Sequence, residues 1–222
     1  MMTLDRGIVE RLVRDALGKQ LDAHTRKGVG SADRKLVVNV SARHAHVTQE
    51  DLERLFGKGH QLKPFKWLYQ DGFFAAEETV TVIGPRQRII ANLRILGPCR
   101  DHSQVELAFT DAVQLGLELP VRKSGDHRDS PGCWMMGPKG MIRLERGVIR
   151  HERHIHLGPE GAAAYGVKDG DRLHLRIKSD CSAVLEDLLV RFAPASKLEV
   201  HIDTDEGNAV NHPRATKFEL FK

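Results

Sequence analysis

Residues 43–47 read Arg43-His44-Ala45-His46-Val47, and about 110 residues further on residues 153–157 read Arg153-His154-Ile155-His156-Leu157. A motif that returns at one fixed separation marks an internal duplication. Both copies run into helix-start signals. Thr48 is a candidate N-cap with Asp51 three residues on, and Gly158-Pro159-Glu160 puts proline where a first helical turn tolerates it. Glu50 and Glu160 sit at matching offsets, and Val82-Ile83-Gly84-Pro85-Arg86 is echoed by Met135-Met136-Gly137-Pro138-Lys139. Around these lie short β-branched and apolar segments: 36–40, 78–83, 89–96, 104–109, 141–144, 172–177, 183–191 and 197–202. Turn signals separate them, among them Gly84-Pro85, Gly97-Pro98, Gly137-Pro138 and Asp169-Gly170-Asp171. The pattern predicts a mainly β protein of two related β-barrels, each with short capping helices. The two strand–HxH–helix elements are then pseudo-symmetric and expected to meet where the barrels meet.

Side chains alternate along a strand, so His44 and His46 share one face, as do His154 and His156. Two imidazoles about 7 Å apart at their Cα atoms can converge on one ion, and neutral imidazole suits zinc. His201, in His201-Ile202-Asp203-Thr204-Asp205-Glu206, can supply a third nitrogen to one of the pairs. The other histidines (His24, His60, His102, His127, His151, His174 and His212) lack such pairing and are assigned to surface or core. Glu106 faces away from Val105 and Leu107; it either completes a site with His44 and His46 or is an exposed strand residue. Arg100, after the Gly97-Pro98-Cys99 turn, either forks onto a phosphate or is a surface charge. The polar loop Arg122-Lys123-Ser124-Gly125-Asp126 either offers N–H groups and a hydroxyl to an anion or is an ordinary linker.

The bulk numbers exclude several classes. The 222 residues carry Lys+Arg 34 against Asp+Glu 30, a net charge of +4 spread along the chain, with 41% hydrophobic, 29% charged and 5% aromatic residues. No basic run and few aromatics argue against nucleic-acid binding. A mildly basic surface suits small anions. Cys99, Cys133 and Cys181 are odd in number and far apart, which excludes a disulfide framework or a cysteine zinc knuckle and fits a reducing compartment. No apolar run is long enough to span a membrane, and charges from Asp5 to Asp15 interrupt any signal-peptide core. Residues 4–18 read as an amphipathic helix with Ile8, Val9, Leu12, Val13 and Ala16 on one side, and residues 22–34 as a linker. Such a helix either packs back on its own domain or docks on a partner.

Seven segments together carry a resemblance. They are residues 40–46 (VSARHAH), 74–81 (FAAEETVT), 96–100 (LGPCR), 104–106 (QVE), 120–126 (PVRKSGD), 153–156 (RHIH) and 201–209 (HIDTDEGNA). In this order, over about three quarters of the chain, they resemble the PduL-type phosphotransacylases (phosphate propanoyltransferases) of bacterial microcompartments. The resemblance implies two β-barrels, one of 35–46 with 145–222 and the other of 47–144, with a dinuclear zinc site between them. His44, His46 and Glu106 would hold one zinc with Ser124 close by, and His154, His156 and His201 the other. Arg100 would bind phosphate as the catalytic anion-holding group. Residues 1–34 would be an encapsulation-type peptide and linker that carries the enzyme to shell or core proteins in a microcompartment lumen. The implied reaction is acyl-CoA plus phosphate giving acyl phosphate plus CoA, with propionyl as default, on a chain that binds neither nucleic acid nor membrane and for which a homodimer is one expected assembly. Two departures stand out: Cys99 where a small residue is usual, and Val113 for a bulkier one, which bears on coenzyme A contacts. Two other readings compete, a dinuclear metal-dependent hydrolase and a non-catalytic, zinc-stabilised, shell-associated module. The hydrolases usually need an α/β barrel, for which βα alternation is lacking. Structural zinc sites are closed and usually cysteine-rich, unlike these sets.

Overall fold

The computed structural model describes residues 36–222; the helix expected over 4–18 and the linker at 22–34 lie outside them. Fifteen strands are the main regular structure of the described residues. In chain order they are β1 (Val37–Ser41), β2 (His44–His46), β3 (Pro64–Trp67), β4 (Phe74–Ile83) and β5 (Ile89–Gly97). There follow β6 (Gln104–Glu106), β7 (Val121–Arg122), β8 (Cys133–Met136), β9 (Met141–Leu144) and β10 (Val148–His151). The last five are β11 (His154–Leu157), β12 (Arg172–Lys178), β13 (Ala183–Phe192), β14 (Glu199–Asp203) and β15 (Lys217–Phe221). Four short α-helices, Gln49–Phe56, Phe109–Leu115, Pro159–Tyr165 and Thr204–Ala209, and a 3-10 turn at His212–Arg214 complete the elements of the described residues.

The strands form two sheets. A six-stranded sheet runs β1-β14-β11-β13-β12-β15, and a nine-stranded sheet runs β7-β10-β6-β2-β5-β4-β8-β9 with β3 beside β4. The mainly β architecture matches the sequence expectation, each sheet curling as a half-barrel with unpaired edges. The chain crosses between sheets twice, at Ala42-Arg43 and at Glu152-Arg153, immediately before each HxH strand. His44–His46 and Val148–His151 therefore belong to the nine-stranded sheet, a few residues from the boundaries drawn on the sequence.

Alternation explains which face does what. On β2, Ala45 is fully buried in the core of the nine-stranded sheet with Leu52 and Leu55, and on β11 Ile155 and Leu157 enter the core of the six-stranded sheet with Leu173, Leu188 and Val190. The histidines between them face the other way, toward the junction. Each HxH strand leads into a helix as its sequence signals predict. Thr48 accepts a hydrogen bond from the Asp51 amide at 3.0 Å. Pro159 sits in the first turn of the helix that begins after Gly158.

The Gly-Pro echo also has a structural meaning. Gly84 follows β4 and lies against Leu115 at the end of the helix Phe109–Leu115, while Gly137 follows β8 and lies against Leu55 near the end of the helix Gln49–Phe56. At either glycine an added Cβ would run into the leucine's carbonyl oxygen. Gly84→Ala and Gly137→Ala are each expected to destabilise by about 1–3 kcal/mol. Thermal melts should therefore show Tm lowered by about 3 °C or more; an unchanged Tm for both would contradict the close approach.

Candidate active site at the sheet junction

Strand register assembles the site. On β2, His44 stands directly opposite Glu106 of antiparallel β6, and on β11, His154 stands directly opposite His201 of antiparallel β14. Directly opposed residues on antiparallel strands share a face with Cβ atoms about 4.5–5.5 Å apart. The duplication thus places a third donor across from the first histidine of each pair. In both sets, His44-His46-Glu106 and His154-His156-His201, one donor atom per residue lies within 4.8 Å of the others. All six residues expected from the sequence fall into these two groups.

The imidazoles are oriented as ligands would be. His44 Nδ1 faces the Ala42 carbonyl at 2.8 Å, His46 Nδ1 the Leu96 carbonyl at 3.3 Å, and His154 Nδ1 the Glu152 carbonyl at 2.7 Å. His201 Nδ1 lies 3.2 Å from the Ser41 hydroxyl. A proton held on Nδ1 by a carbonyl leaves the Nε2 lone pair free. The buried Nε2 of His201 has no hydrogen-bond partner, although Glu199 Oε2 lies 3.2 Å away without hydrogen-bond alignment. Burial, then the neighbouring His44, pushes His46 well below the ordinary imidazole range; burial, then His201, does the same to His154. The same two causes push His156 down to about 4. Neutral imidazoles at His46, His154 and His156 and the unpartnered Nε2 of His201 are the donor chemistry a cation such as zinc requires, so these residues fit one ion per triad.

Glu106, Ser124 and Arg100 form one chain. Burial alone would raise the Glu106 carboxyl, but His44, His151 and His46 beside it and the Ser124 hydrogen bond hold it well below the usual carboxylate range. The Ser124 hydroxyl donates to Glu106 Oε1 at 2.7 Å and accepts from Arg100 Nη1 at 3.0 Å and from Gln104 Nε2 at 2.7 Å. Gln104 also donates to Glu106, and its Oε1 accepts the Gly125 amide at 2.9 Å. The loop expected to touch an anion is thereby tied to the first triad. Arg100 is partly buried, which depresses its pKa, while the charge of Glu106 opposes that shift.

Three residues at the site escaped the sequence reading. Gln104 lies two positions before Glu106 on β6, and period-two alternation was the available signal. Arg191 stands opposite His156 on the parallel strand β13. His151, assigned to surface or core, lies between the triads. Its ring is 5.7 Å from that of His154, the charges of Glu106 and His44 act on it, and its buried Nε2 has no hydrogen-bond partner. Val113, noted as a departure, is well exposed on the helix Phe109–Leu115.

Two curled sheets that meet over two donor triads, one of three imidazoles and one of two imidazoles and a carboxylate, and a held guanidinium define a mainly β protein with a polar centre suited to anion chemistry. A family model described as phosphate propanoyltransferase matches residues 37–213. Proteins of that name from Planctopirus limnophila (55% identical, covering 99% of this chain and 92% of the relative), Thermotoga maritima (48%, covering 78% and 83%) and Leptotrichia buccalis (40%, covering 94% and 95%) are similar to it. The chain belongs to the phosphate propanoyltransferase family and is a phosphate acyltransferase.

A pH prediction follows for the metal-free protein. Unfolded, His156 takes up a proton as pH falls through 6.5; folded, it does so only near 4. Between those values the unfolded chain binds more protons, so stability falls as pH is lowered through this window and is not affected above it. The Tm of chelated protein should drop between about pH 7 and about pH 5, with a shallower drop in His156→Gln. An identical pH slope in the variant would contradict the burial of a neutral imidazole.

Proposed function

We propose that the chain transfers a short acyl group, by default propionyl, between coenzyme A and phosphate on a dinuclear metal centre, with zinc as the metal. One observation carries this reading: two donor triads occupy equivalent registers at the two sheet crossings, and the first is hydrogen-bonded through Ser124 to Arg100. His44, His46 and Glu106 would hold one ion, and His154, His156 and His201 the other. When bound, the ions supply Lewis acidity toward the thioester carbonyl and affinity for the coenzyme A thiolate.

The protein's own groups do the rest. Arg100 receives the phosphate with its forked N–H donors and offsets the repulsion between phosphate and other anions in the site. Ser124 holds that guanidinium and fixes Glu106 through the same hydroxyl. A phosphate oxygen attacks the thioester carbonyl carbon, the C–S bond breaks, and its electron pair leaves on sulfur. The thiols are poorly suited to covalent catalysis. Burial pushes Cys133 up to about 12, burial and then Glu78 raise Cys99, and the exposed Cys181 follows the end of β12. Transfer is therefore direct, without an acyl-cysteine. The terminal segment 1–34 would deliver the enzyme to shell or core proteins, placing it in a microcompartment lumen.

The test is CoA release from propionyl-CoA, followed with a thiol reagent, with and without phosphate and before and after chelation. Release should need phosphate, disappear on chelation and return with zinc. Phosphate-independent release would favour the hydrolase, and none under any condition the scaffold. Arg100→Ala should lower kcat/KM by about 100-fold or more while the bound metal is retained; near-native turnover would contradict its role. Deleting residues 1–33 should leave activity intact and abolish encapsulation, and lost activity would overturn that assignment.

A further inference from the structure

The junction holds a second guanidinium to which nothing so far gives a task. Arg191 lies on β13 between Val190, fully buried in the core, and Phe192. Its register partner across the parallel pair is His156. Register partners share a face, so Arg191 projects to the junction side, as His154 and His156 do, and away from the core that holds Val190. It is partly buried. Among the described residues its side chain makes no hydrogen bond and has no carboxylate within ion-pair distance.

Its surroundings show what it can meet. The charge of Arg191 acts on Arg100, Glu106 acts on both, and Asp169 acts more weakly on Arg191. Arg191 also acts on His154 and His156. It therefore reaches toward both triads, as Arg100 does from the other side. The one carboxylate that acts on both guanidiniums, Glu106, is already taken up by His44, His46 and Ser124, so the two partly buried cations leave positive charge that a bound anion would offset. Burial lowers the pKa of Arg191, yet an arginine keeps its charge under such conditions.

We propose that Arg191 is a second phosphoryl-binding residue. Together with Arg100 it clamps the phosphate (or the phosphoryl end of the acyl phosphate), Arg100 from the side of His44-His46-Glu106 and Arg191 from the side of His154-His156-His201. Coenzyme A carries phosphoryl groups of the same chemistry. The location beside the triads, where the transferred group must meet phosphate, assigns Arg191 to phosphate rather than to the coenzyme. This inference rests on the proposed acyl transfer.

The experiment compares full-length, zinc-loaded wild type with Arg191→Gln and Arg191→Lys, varying phosphate and propionyl-CoA separately and measuring bound zinc. Arg191→Gln should raise KM for phosphate about tenfold or more, the loss of one charged hydrogen-bonding partner. KM for propionyl-CoA should stay within about twofold and zinc content should be unchanged. Arg191→Lys should recover part of the phosphate affinity, since it restores charge without the fork. If Arg191→Gln does not fold, calorimetric titration of inorganic phosphate into wild type and Arg191→Lys reads the same difference. An unchanged phosphate KM, a rise confined to propionyl-CoA, or a loss of zinc in step with phosphate affinity would overturn the proposal. A wild type without phosphate-dependent CoA release would instead remove the underlying function, whatever the variants do.

Discussion

The junction depends on the buried guanidinium of Arg150. It lies on β10 in the nine-stranded sheet and reaches into the other sheet, Nε to Asp203 Oδ2 at 2.8 Å and Nη2 to Glu206 Oε1 at 2.6 Å. Burial alone would lower its pKa, but Glu206 and Asp203 outweigh that and raise it. Asp203 is itself buried and caps the helix Thr204–Ala209 by accepting from the Glu206 amide at 2.8 Å. It ends β14, the strand that carries His201, while β10 pairs with β6, the strand that carries Glu106. One ion-pair network thus ties the support of the first triad to the support of the second. Removing one member of such a buried set leaves an uncompensated charge, at a cost of about 3–5 kcal/mol.

With the sheets fixed, register settles the rest. A slip of one residue would turn every side chain of a strand to its other face. On β2 or β11 that would send histidines into an apolar core and expose Ala45 or Ile155. Core packing and donor convergence are therefore satisfied by the same alignment. The charge pattern follows. The imidazoles of His46, His154 and His156, crowded together out of water, stay neutral, one carboxylate stays ionised because histidines and a serine surround it, and two guanidiniums act on the same space. That is a polarity matched to anions bound against cations.

The sequence made much of this legible because the duplication is local. His44-Ala45-His46 and His154-Ile155-His156 announce both strand and face by period two, and Thr48 and Gly158-Pro159 announce the helices that follow. It left Glu106 undecided between ligand and exposed residue, since only the pairing with β2 and the cover of the second sheet show that it is buried opposite His44. His151, three positions before His154, gave no periodic signal because the chain changes sheets between them. Arg191 reads on the sequence as one charge beside an apolar run, and its place opposite His156 is set by a parallel pairing of strands distant in the chain. The two-barrel, mainly β architecture expected from the duplication is found as two sheets that each curl as a half-barrel.

The central claim is that each triad is a separate ion site. Elemental analysis of the purified full-length protein, with His44→Ala and His201→Ala as single variants and both together, tests it most directly. Two ions per chain in the wild type, one in either single variant and none in the double would agree with the account. A wild type that binds no metal after zinc loading, or single variants that keep both ions, would contradict it.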